Sequence, residues 1–194
     1  MRSGDLKKAK RAIRRAVLER RDALTATERD TAGAAVAART MALPEMERAR
    51  LVMVFWSFGS EVPTRPLLAA LHAEGVSIAL PRIAGADLEV RTYLPGEPVA
   101  AASFGAMEPT AGQEVGVADL DVIVTPAVAF DPMGHRIGYG GGFYDRLFVR
   151  AAQAVRVGLA YDLQVLEGPL PTGHFDLPVD AIVTELRVLR PSEA

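Results

Sequence analysis

The sequence predicts an α/β fold, a three-layer α/β/α sandwich around a mainly parallel, Rossmann-like sheet. Compact apolar runs typical of strands recur along the chain, helical segments with one apolar face alternate with them, and glycine or proline separates the two kinds of segment. The runs at 51–56 and 76–80 flank such a helical segment and form a strand–helix–strand unit. Ligands of these folds bind outside the carboxyl ends of the strands, so residues that follow strands are the first candidates for a site.

Three helices are predicted before residue 76. Apolar residues at steps of three, four and seven in 6–24 indicate a first helix with one apolar stripe. A second is expected over 28–41, with Thr25 and Thr27 as candidate caps, although Gly33 lowers its propensity. A third follows Thr64 as its cap.

The remaining elements follow from the same patterns. Strands are predicted at 88–94, 120–125, 155–159, 181–184 and 187–189, with a helix at 143–152. Pro81 is expected to close the strand 76–80, and residues 95–118 to form long loops. Because the sequence shows no internal repeat or linker, residues 1–194 are interpreted as one domain.

Composition excludes several classes of protein. The chain has no cysteine, which excludes disulfides, thiolate metal sites and a cysteine nucleophile. Its apolar runs are shorter than the roughly 20 residues that cross a bilayer, so no membrane partner is expected. The basic start precedes no apolar signal core, and a cytoplasmic location is the expectation.

The net charge of -2 hides a strong asymmetry. Residues 1–21 carry nine Lys or Arg against Asp5 and Glu19, which gives +7 and leaves -9 for the rest of the chain. A basic segment on an acidic body indicates an anionic partner, with a solvated helix face as the alternative.

The strongest local signal is the glycine cluster after the strand at 120–125. Four glycines occupy five positions, at Gly138, Gly140, Gly141 and Gly142, and lead directly into a helix. The glycines let this turn take left-handed, positive φ angles and expose successive amides to an anion, supported by the helix dipole. Arg136 adds a planar fork of donors. The turn is neither a Walker A loop nor a dinucleotide fingerprint, and a structural turn with one arginine is the alternative.

Asp145 stands in the first turn of that helix, where a carboxylate would repel bound phosphates. A bridging Mg²⁺ ion removes this conflict, because Mg²⁺ prefers carboxylate, water and phosphate oxygens.

The segment 134–146, read Gly-His-Arg-Ile-Gly-Tyr-Gly-Gly-Gly-Phe-Tyr-Asp-Arg, resembles the signature of the 5-formyltetrahydrofolate cyclo-ligase family. Segments 10–14, 55–64, 75–82 and 164–185 resemble other parts of that family in the same order. The resemblance implies that ATP and Mg²⁺ drive the conversion of 5-formyltetrahydrofolate to 5,10-methenyltetrahydrofolate, ADP and phosphate.

The resemblance also implies roles for individual residues. The implied ATP site comprises Lys10, Arg11, Arg14, Arg136, Ile137, Gly138, Tyr139, Gly140, Gly141, Gly142, Phe143 and Tyr144, of which Arg136 and Tyr144 would be catalytic. Trp56 and Glu61 match folate contacts, although Trp56 is equally consistent with a core aromatic. Asp145 and Asp180 match the Mg²⁺ positions, with Asp176 as a second candidate and His174 as a ligand, base or structural residue.

Two other classes of function remain open at this point. One is an ATP-dependent kinase or phospho-substrate enzyme acting on a non-folate substrate, since fold alone does not decide between substrates. The other is a nucleic-acid module built on the basic first helix, which a pI near 6.0 and the lack of stacking aromatics in residues 1–50 disfavour. We therefore expect no nucleic-acid partner, and a monomer with a weak dimer as the alternative.

Overall fold

The computed structural model describes residues 3–102 and 106–191 and has a seven-stranded sheet at its centre. The strands of this sheet are β1 (Leu51–Met53), β2 (Ser77–Ala84), β3 (Asp87–Tyr93), β6 (Val122–Pro126), β9 (Val155–Leu159), β10 (Ala181–Val183) and β11 (Val188–Leu189). Their order is β11-β10-β9-β6-β1-β2-β3. The five inner strands are parallel, and the two edge strands are antiparallel to their neighbours.

Helices cover both faces of the sheet, which confirms the predicted three-layer α/β/α class. The helices are α1 (Ser3–Asp22), α2 (Ala26–Met41), α3 (Pro44–Arg48), α4 (Arg65–Ala73) and α5 (Phe143–Arg150), with short 3₁₀ helices at Val117–Asp119 and Asp162–Gln164. Helices α2, α3 and α4 share one buried cluster with one face of the sheet, while α5 shares a second cluster with the other face. Burial of these apolar faces is the main force that holds the layers together.

Helix α1 packs away from both of these clusters. Its Val17 is buried against Val128, Ile137 and Leu170, which forms a third, smaller core. Ile137 belongs to β8 (Arg136–Ile137), which pairs with β7 (Ala129–Phe130) in a short hairpin that the sequence patterns did not predict. The predicted apolar stripe of the first helix therefore lies across the hairpin that leads into the glycine cluster.

The predicted caps of α2 and α4 differ in whether the side chain makes a capping hydrogen bond. The capping box at Thr25 and Glu28 is present, which confirms Thr25 as a cap of α2. Thr64 occupies the predicted N-cap position of α4, where its carbonyl accepts the N–H of Leu68 at 2.9 Å, but its side chain makes no capping bond. Its hydroxyl accepts the N–H of Ser57 at 3.1 Å, and the Ser57 hydroxyl accepts the N–H of Thr64 at 3.2 Å. This reciprocal pair closes the loop that follows β1.

Two further expectations are corrected. Pro81 does not end its strand, because β2 continues to Ala84 as a partner of β3 alone. Pro81 has no N–H to donate, but this costs no hydrogen bond to β1, since β1 pairs with β2 only as far as Ala79. The stretch 95–118 is not all loop: β4 (Val99–Ala101) and β5 (Met107–Pro109) form a hairpin, with residues 103–105 outside the described part. Helix α3 was not predicted either.

Among the described residues, no helix combines the length and the apolarity that crossing a bilayer requires.

Replacing Gly158 with alanine is expected to destabilise the fold by about 1–3 kcal/mol through overpacking. A Cβ atom at this position in β9 would lie 2.5 Å from the ring of the fully buried Phe130. Urea unfolding of Gly158→Ala measures the loss. Gly4→Ala is the control, since a Cβ there meets nothing within 4 Å. Equal stability of the two variants would contradict this packing.

Candidate active site

A pocket of about 490 Å³ opens at the carboxyl ends of β1 and β6 and beside the outer half of β2. Its polar wall comes from α1 and the glycine turn, through Lys7, Lys10, Arg11, Arg14 and residues 136–145. The rest of the lining is mainly apolar and includes Phe55, Trp56, Phe58, Pro81, Ile83, Leu88, Met107 and Pro126. The pocket therefore combines cations and backbone amides with a flat, apolar surface.

Helix α1 is fastened to the glycine turn by Arg14, whose Nε donates to the carbonyl of Gly138 at 2.8 Å. Burial, and secondarily the charge of Arg11, lower the pKa of Arg14, so its guanidinium lies in an electropositive, partly dry region. Gly140 and Gly142 have φ values of 104° and 67°, which confirms the predicted left-handed turn. The same turn starts α5 at Gly142, so the helix N-terminus faces the pocket.

Two ion pairs cross this polar wall. The Nη1 atom of Arg136 donates to Asp145 Oδ1 at 2.9 Å and to the carbonyl of Leu177 at 2.9 Å. Its guanidinium also stacks on Phe148, 4.6 Å from the ring centroid. Lys10 pairs directly with Asp176. Each pocket cation of these pairs is thus matched by a carboxylate.

Asp176 shows how strongly this wall favours negative charge. Burial by itself would raise the pKa of Asp176, but the bonds from Lys10 and from the N–H of Gly173 outweigh it and lower the pKa. Asp176 is therefore a carboxylate at neutral pH, held at the pocket by two donors.

Glu61 also lines the pocket, beside Tyr139 of the glycine turn, and is only 5% exposed. Its Oε2 accepts the N–H of Phe58 at 3.1 Å, and its Oε1 accepts the hydroxyl of Tyr139 at 3.3 Å. Burial raises the pKa of Glu61 to about 7, against the lowering effects of the Phe58 N–H, Arg21 and Tyr139. The carboxyl group can therefore take either protonation state near neutrality.

Tyr144 lines the pocket beside the glycine turn. Burial, helped by the charge of Glu61, raises the pKa of Tyr144, so its hydroxyl keeps its proton. That hydroxyl makes no hydrogen bond to any residue in the described part of the chain, which leaves its proton available to a ligand.

Comparison with known proteins agrees with this geometry. The model of the 5-formyltetrahydrofolate cyclo-ligase family matches residues 6–185. The chain belongs to the 5-formyltetrahydrofolate cyclo-ligase family.

Named relatives cover nearly the whole chain. The 5-formyltetrahydrofolate cyclo-ligase of Escherichia coli K12 is 35% identical over 179 residues, 89% of this chain and 98% of that protein. The cyclo-ligase of Haemophilus influenzae is 34% identical over 86% of this chain and 92% of that protein. The NMR structure of Aquifex aeolicus 5,10-methenyltetrahydrofolate synthetase superposes with a TM-score of 0.83 at 34% identity, covering 95% of this chain and 94% of that one.

With the family established, the predicted site residues can be placed. All of them except Asp180 and His174 line the pocket, so the structure brings together Lys10, Arg11, Arg14, Trp56, Glu61 and the run from Arg136 to Asp145. Their individual binding roles stay predictions. Trp56 combines both interpretations given above, because it packs against the core and edge-on to Tyr93 while also lining the pocket.

The assignment of Asp180 as a metal ligand does not fit the structure. Asp180 is exposed at the amino end of β10, opposite to the pocket end of the strands, and its Oδ2 accepts the N–H of Arg156 at 2.8 Å. Asp176, the second candidate, lies in the pocket with Asp145. The assignment of Asp180 rests on the family resemblance, and because the two acids stand four residues apart before β10, the sequence does not tell which of them turns toward the site.

The residues present fit a magnesium ion that takes some of its ligands from the protein and the others from phosphate. Within residues 3–102 and 106–191, no group of three His, Cys, Asp or Glu side chains could cage an ion by itself. Asp145 and Asp176 are two carboxylates beside the glycine turn, and Mg²⁺ is commonly held by one or two carboxylates together with phosphate and water oxygens.

Arg21 is the polar residue near the site that sequence reasoning missed, since it counted only as one of nine basic residues. It is 3% exposed and contacts Tyr139 and Ser60 beside Glu61. A signal existed: Arg21 falls four residues after Val17, on the apolar stripe of α1, where an arginine must find buried partners.

The pH dependence of stability should change when Glu61 becomes glutamine. A carboxyl whose pKa rises from 4.5 to about 7 on folding contributes stability below pH 4.5 that is lost as pH rises toward 7. The free energy of unfolding of the unmodified chain should therefore fall by about 2–3 kcal/mol more than that of Glu61→Gln between pH 5 and pH 8.

Chemical denaturation at several pH values measures this difference. Glu74→Gln, at an exposed position after α4, is the control and should keep the unmodified pH profile. Parallel profiles for Glu61→Gln and the unmodified chain would show that Glu61 is not titrating in this range.

Proposed function

We propose that this chain converts 5-formyltetrahydrofolate and ATP to 5,10-methenyltetrahydrofolate, ADP and phosphate. The observation that carries the proposal is that one pocket is lined by a cationic helix, the glycine turn to which that helix is fastened, and the buried Glu61 carboxyl. Membership of the cyclo-ligase family supports the same reaction.

The reaction needs the formyl oxygen to become a leaving group. Transfer of the γ-phosphoryl group of ATP to that oxygen forms an activated phosphate ester and releases ADP. N10 of the folate then attacks the formyl carbon and gives up its proton, and the carbon–oxygen bond breaks to release phosphate and close the ring. The protein must align the two substrates and neutralise the charge of the transferring group, and it needs no nucleophilic side chain.

The polar wall suits the triphosphate. Amides of residues 138–142 and the N-terminus of α5 supply fixed donors, as phosphate-binding helix starts do. Arg14 lies against the turn and already carries a lowered pKa, so a phosphate anion beside it would relieve the mutual repulsion with Arg11. Arg136 is held by Asp145, Leu177 and Phe148, which fixes its guanidinium before substrate arrives.

Glu61 suits the amino-pyrimidine edge of the pterin ring. When ionised, its two oxygens have lone pairs beyond those used by Phe58 and Tyr139, and they can accept two adjacent N–H donors. The neighbouring rings of Trp56, Phe55 and Phe58 offer flat apolar surface to the rest of the ring system. The hydroxyl of Tyr144 can donate its proton to oxygen of the reacting group.

Asp145 and Asp176 are the residues that would hold Mg²⁺ at this site, and the ion would neutralise phosphate charge next to them. Binding of a metal–nucleotide complex would draw Lys10 from Asp176 toward phosphate, since Lys10 lines the same pocket as the glycine turn. No observation favours the non-folate kinase over the folate reaction.

The direct test is to mix the protein with ATP, Mg²⁺ and 5-formyltetrahydrofolate and to follow the near-ultraviolet absorption of the methenyl product. We expect turnover, and we expect Arg14→Ala to raise the KM for ATP about tenfold to a hundredfold through loss of a charge-assisted contact.

Arg15→Ala is the matched control, because Arg15 is the next residue, carries the same charge and is exposed. A folded protein that forms no methenyl product would refute the proposed function. An equal effect of the two substitutions on the KM for ATP would remove Arg14 from the nucleotide site.

The two candidate metal ligands can be separated by single substitutions. Asp176→Asn should raise the Mg²⁺ concentration for half-maximal activity about tenfold or more, and weaken the calorimetric binding of Mg²⁺ with ATP, because it removes a carboxylate from the pocket. Asp180→Asn should leave both within about twofold, since Asp180 lies at the other end of the sheet. The reverse ranking would restore the assignment of Asp180.

A further inference from the structure

Arg21 is buried in the last turn of α1, beside Glu61 but outside the lining of the pocket. Its Nε donates to Ser60 Oγ at 2.9 Å and its Nη2 donates to Tyr139 Oη at 2.9 Å. Its Nη1 is also buried and has no hydrogen-bond partner within the described residues. A guanidinium with only neutral direct partners is costly to bury unless a negative charge lies close by.

Each hydrogen bond around Arg21 has a defined donor and acceptor. A tyrosine hydroxyl has one proton, and because Tyr139 accepts from Arg21 it donates that proton to Glu61 Oε1. Ser60 repeats the arrangement on the other side, since it accepts from Arg21 and donates to Asp22. Arg21 therefore stabilises two carboxylates through one hydroxyl each, and Glu61 is the buried one of the two.

The charged and titratable groups facing Glu61 come from several elements. Arg21 and Asp22 belong to α1, Tyr139 to the glycine turn and Tyr144 to α5, while the hydroxyl of Tyr161 donates to the Glu61 carbonyl at 3.1 Å. Only Arg21 among them is positively charged. The ionised form of Glu61 thus depends on Arg21 for its compensating charge, in an environment that otherwise favours the neutral acid.

We propose that Arg21 is a positioning residue that acts through Tyr139 to keep the Glu61 carboxylate ionised and in place, and so sets the pH range in which the folate binds. The inference deepens the proposed function and rests on it. Tyr139 can link the charge of Arg21 to Glu61 because its ring packs on Phe58, with 5.5 Å between the ring centroids. This packing holds the Tyr139 hydroxyl against Glu61.

The test is the pH profile of the KM for 5-formyltetrahydrofolate in Arg21→Met. Without the cation, ionisation of Glu61 should require a higher pH by at least about one unit, so the KM should rise about tenfold or more at pH 6.5. At pH 9, where Glu61 is ionised in either protein, the KM should stay within about twofold. The KM for ATP should change little at both pH values, because Arg21 lies outside the pocket lining to which Lys10, Arg14 and Arg136 belong.

Arg20→Met is the matched control, since Arg20 loses the same charge from the same helix but is exposed and makes no hydrogen bond or ion pair to a described residue. Its profile should match the unmodified chain. Tyr139→Phe is the second variant, which keeps the packing ring and removes only the connecting hydroxyl. It should shift the profile in the same direction as Arg21→Met.

A direct readout separates failure of this proposal from failure of the proposed function. Titration of the Glu61 carboxyl by ¹³C NMR in the ligand-free protein, assigned with Glu61→Gln, should move to higher pH in Arg21→Met and in Tyr139→Phe. An unchanged titration in both variants, or a KM that rises equally at all pH values, would overturn the role of Arg21. Absence of turnover in the unmodified protein would instead refute the folate reaction itself.

Discussion

The docking of α1 across the glycine turn is the interaction on which the site depends. Its apolar stripe is buried through Val17, and its polar side is fixed by the bond from Arg14 to the carbonyl of Gly138. This brings a strongly basic segment against the carboxyl ends of the strands of an acidic body. Without that contact the glycine turn would be an anion site with few cations, and the helix a solvated basic surface.

The strand order of the sheet determines the position of the pocket residues that follow β1 and β6. Because β1 and β6 are parallel neighbours, the residues that follow them emerge at one edge, which places Trp56 beside Pro126. The reciprocal bonds of Ser57 and Thr64 close the loop after β1 and set Glu61 inside it. The antiparallel β2–β3 hairpin then extends past β1 and supplies apolar wall through Ile83 and Leu88.

Several of the charges in and beside this pocket are balanced by contacts within the protein. Arg136 is paired with Asp145 and Lys10 with Asp176, while Arg21 compensates Glu61 through a hydroxyl. Such pairs limit the cost of burying ions before a ligand arrives. They also leave the carboxylates as acceptors for a cation or for N–H donors, so one set of contacts serves both stability and recognition.

The sequence by itself determined the features that depend on neighbours along the chain. Periodicity predicted the main helices and strands, Thr25 was one of two predicted caps for the second helix, and clustered glycines predicted a turn with positive φ. These signals are local because backbone propensity and capping act over a few residues. They did not predict that Pro81 lies inside a strand, which is possible because β1 does not extend to that position, nor did they find the β4–β5 hairpin, whose three-residue strands are too short to show a periodicity.

Only the tertiary structure decided which charged groups meet. Asp176 and Asp180 follow the same loop, yet the first turns to the pocket and the second to the amino end of β10. Arg21 contacts Tyr139, 118 residues away in the chain, and Tyr139 contacts Glu61 from 78 residues away. Such contacts are set by the packing of whole elements and by the burial of charge, and neither quantity is encoded in the spacing of residues along the chain.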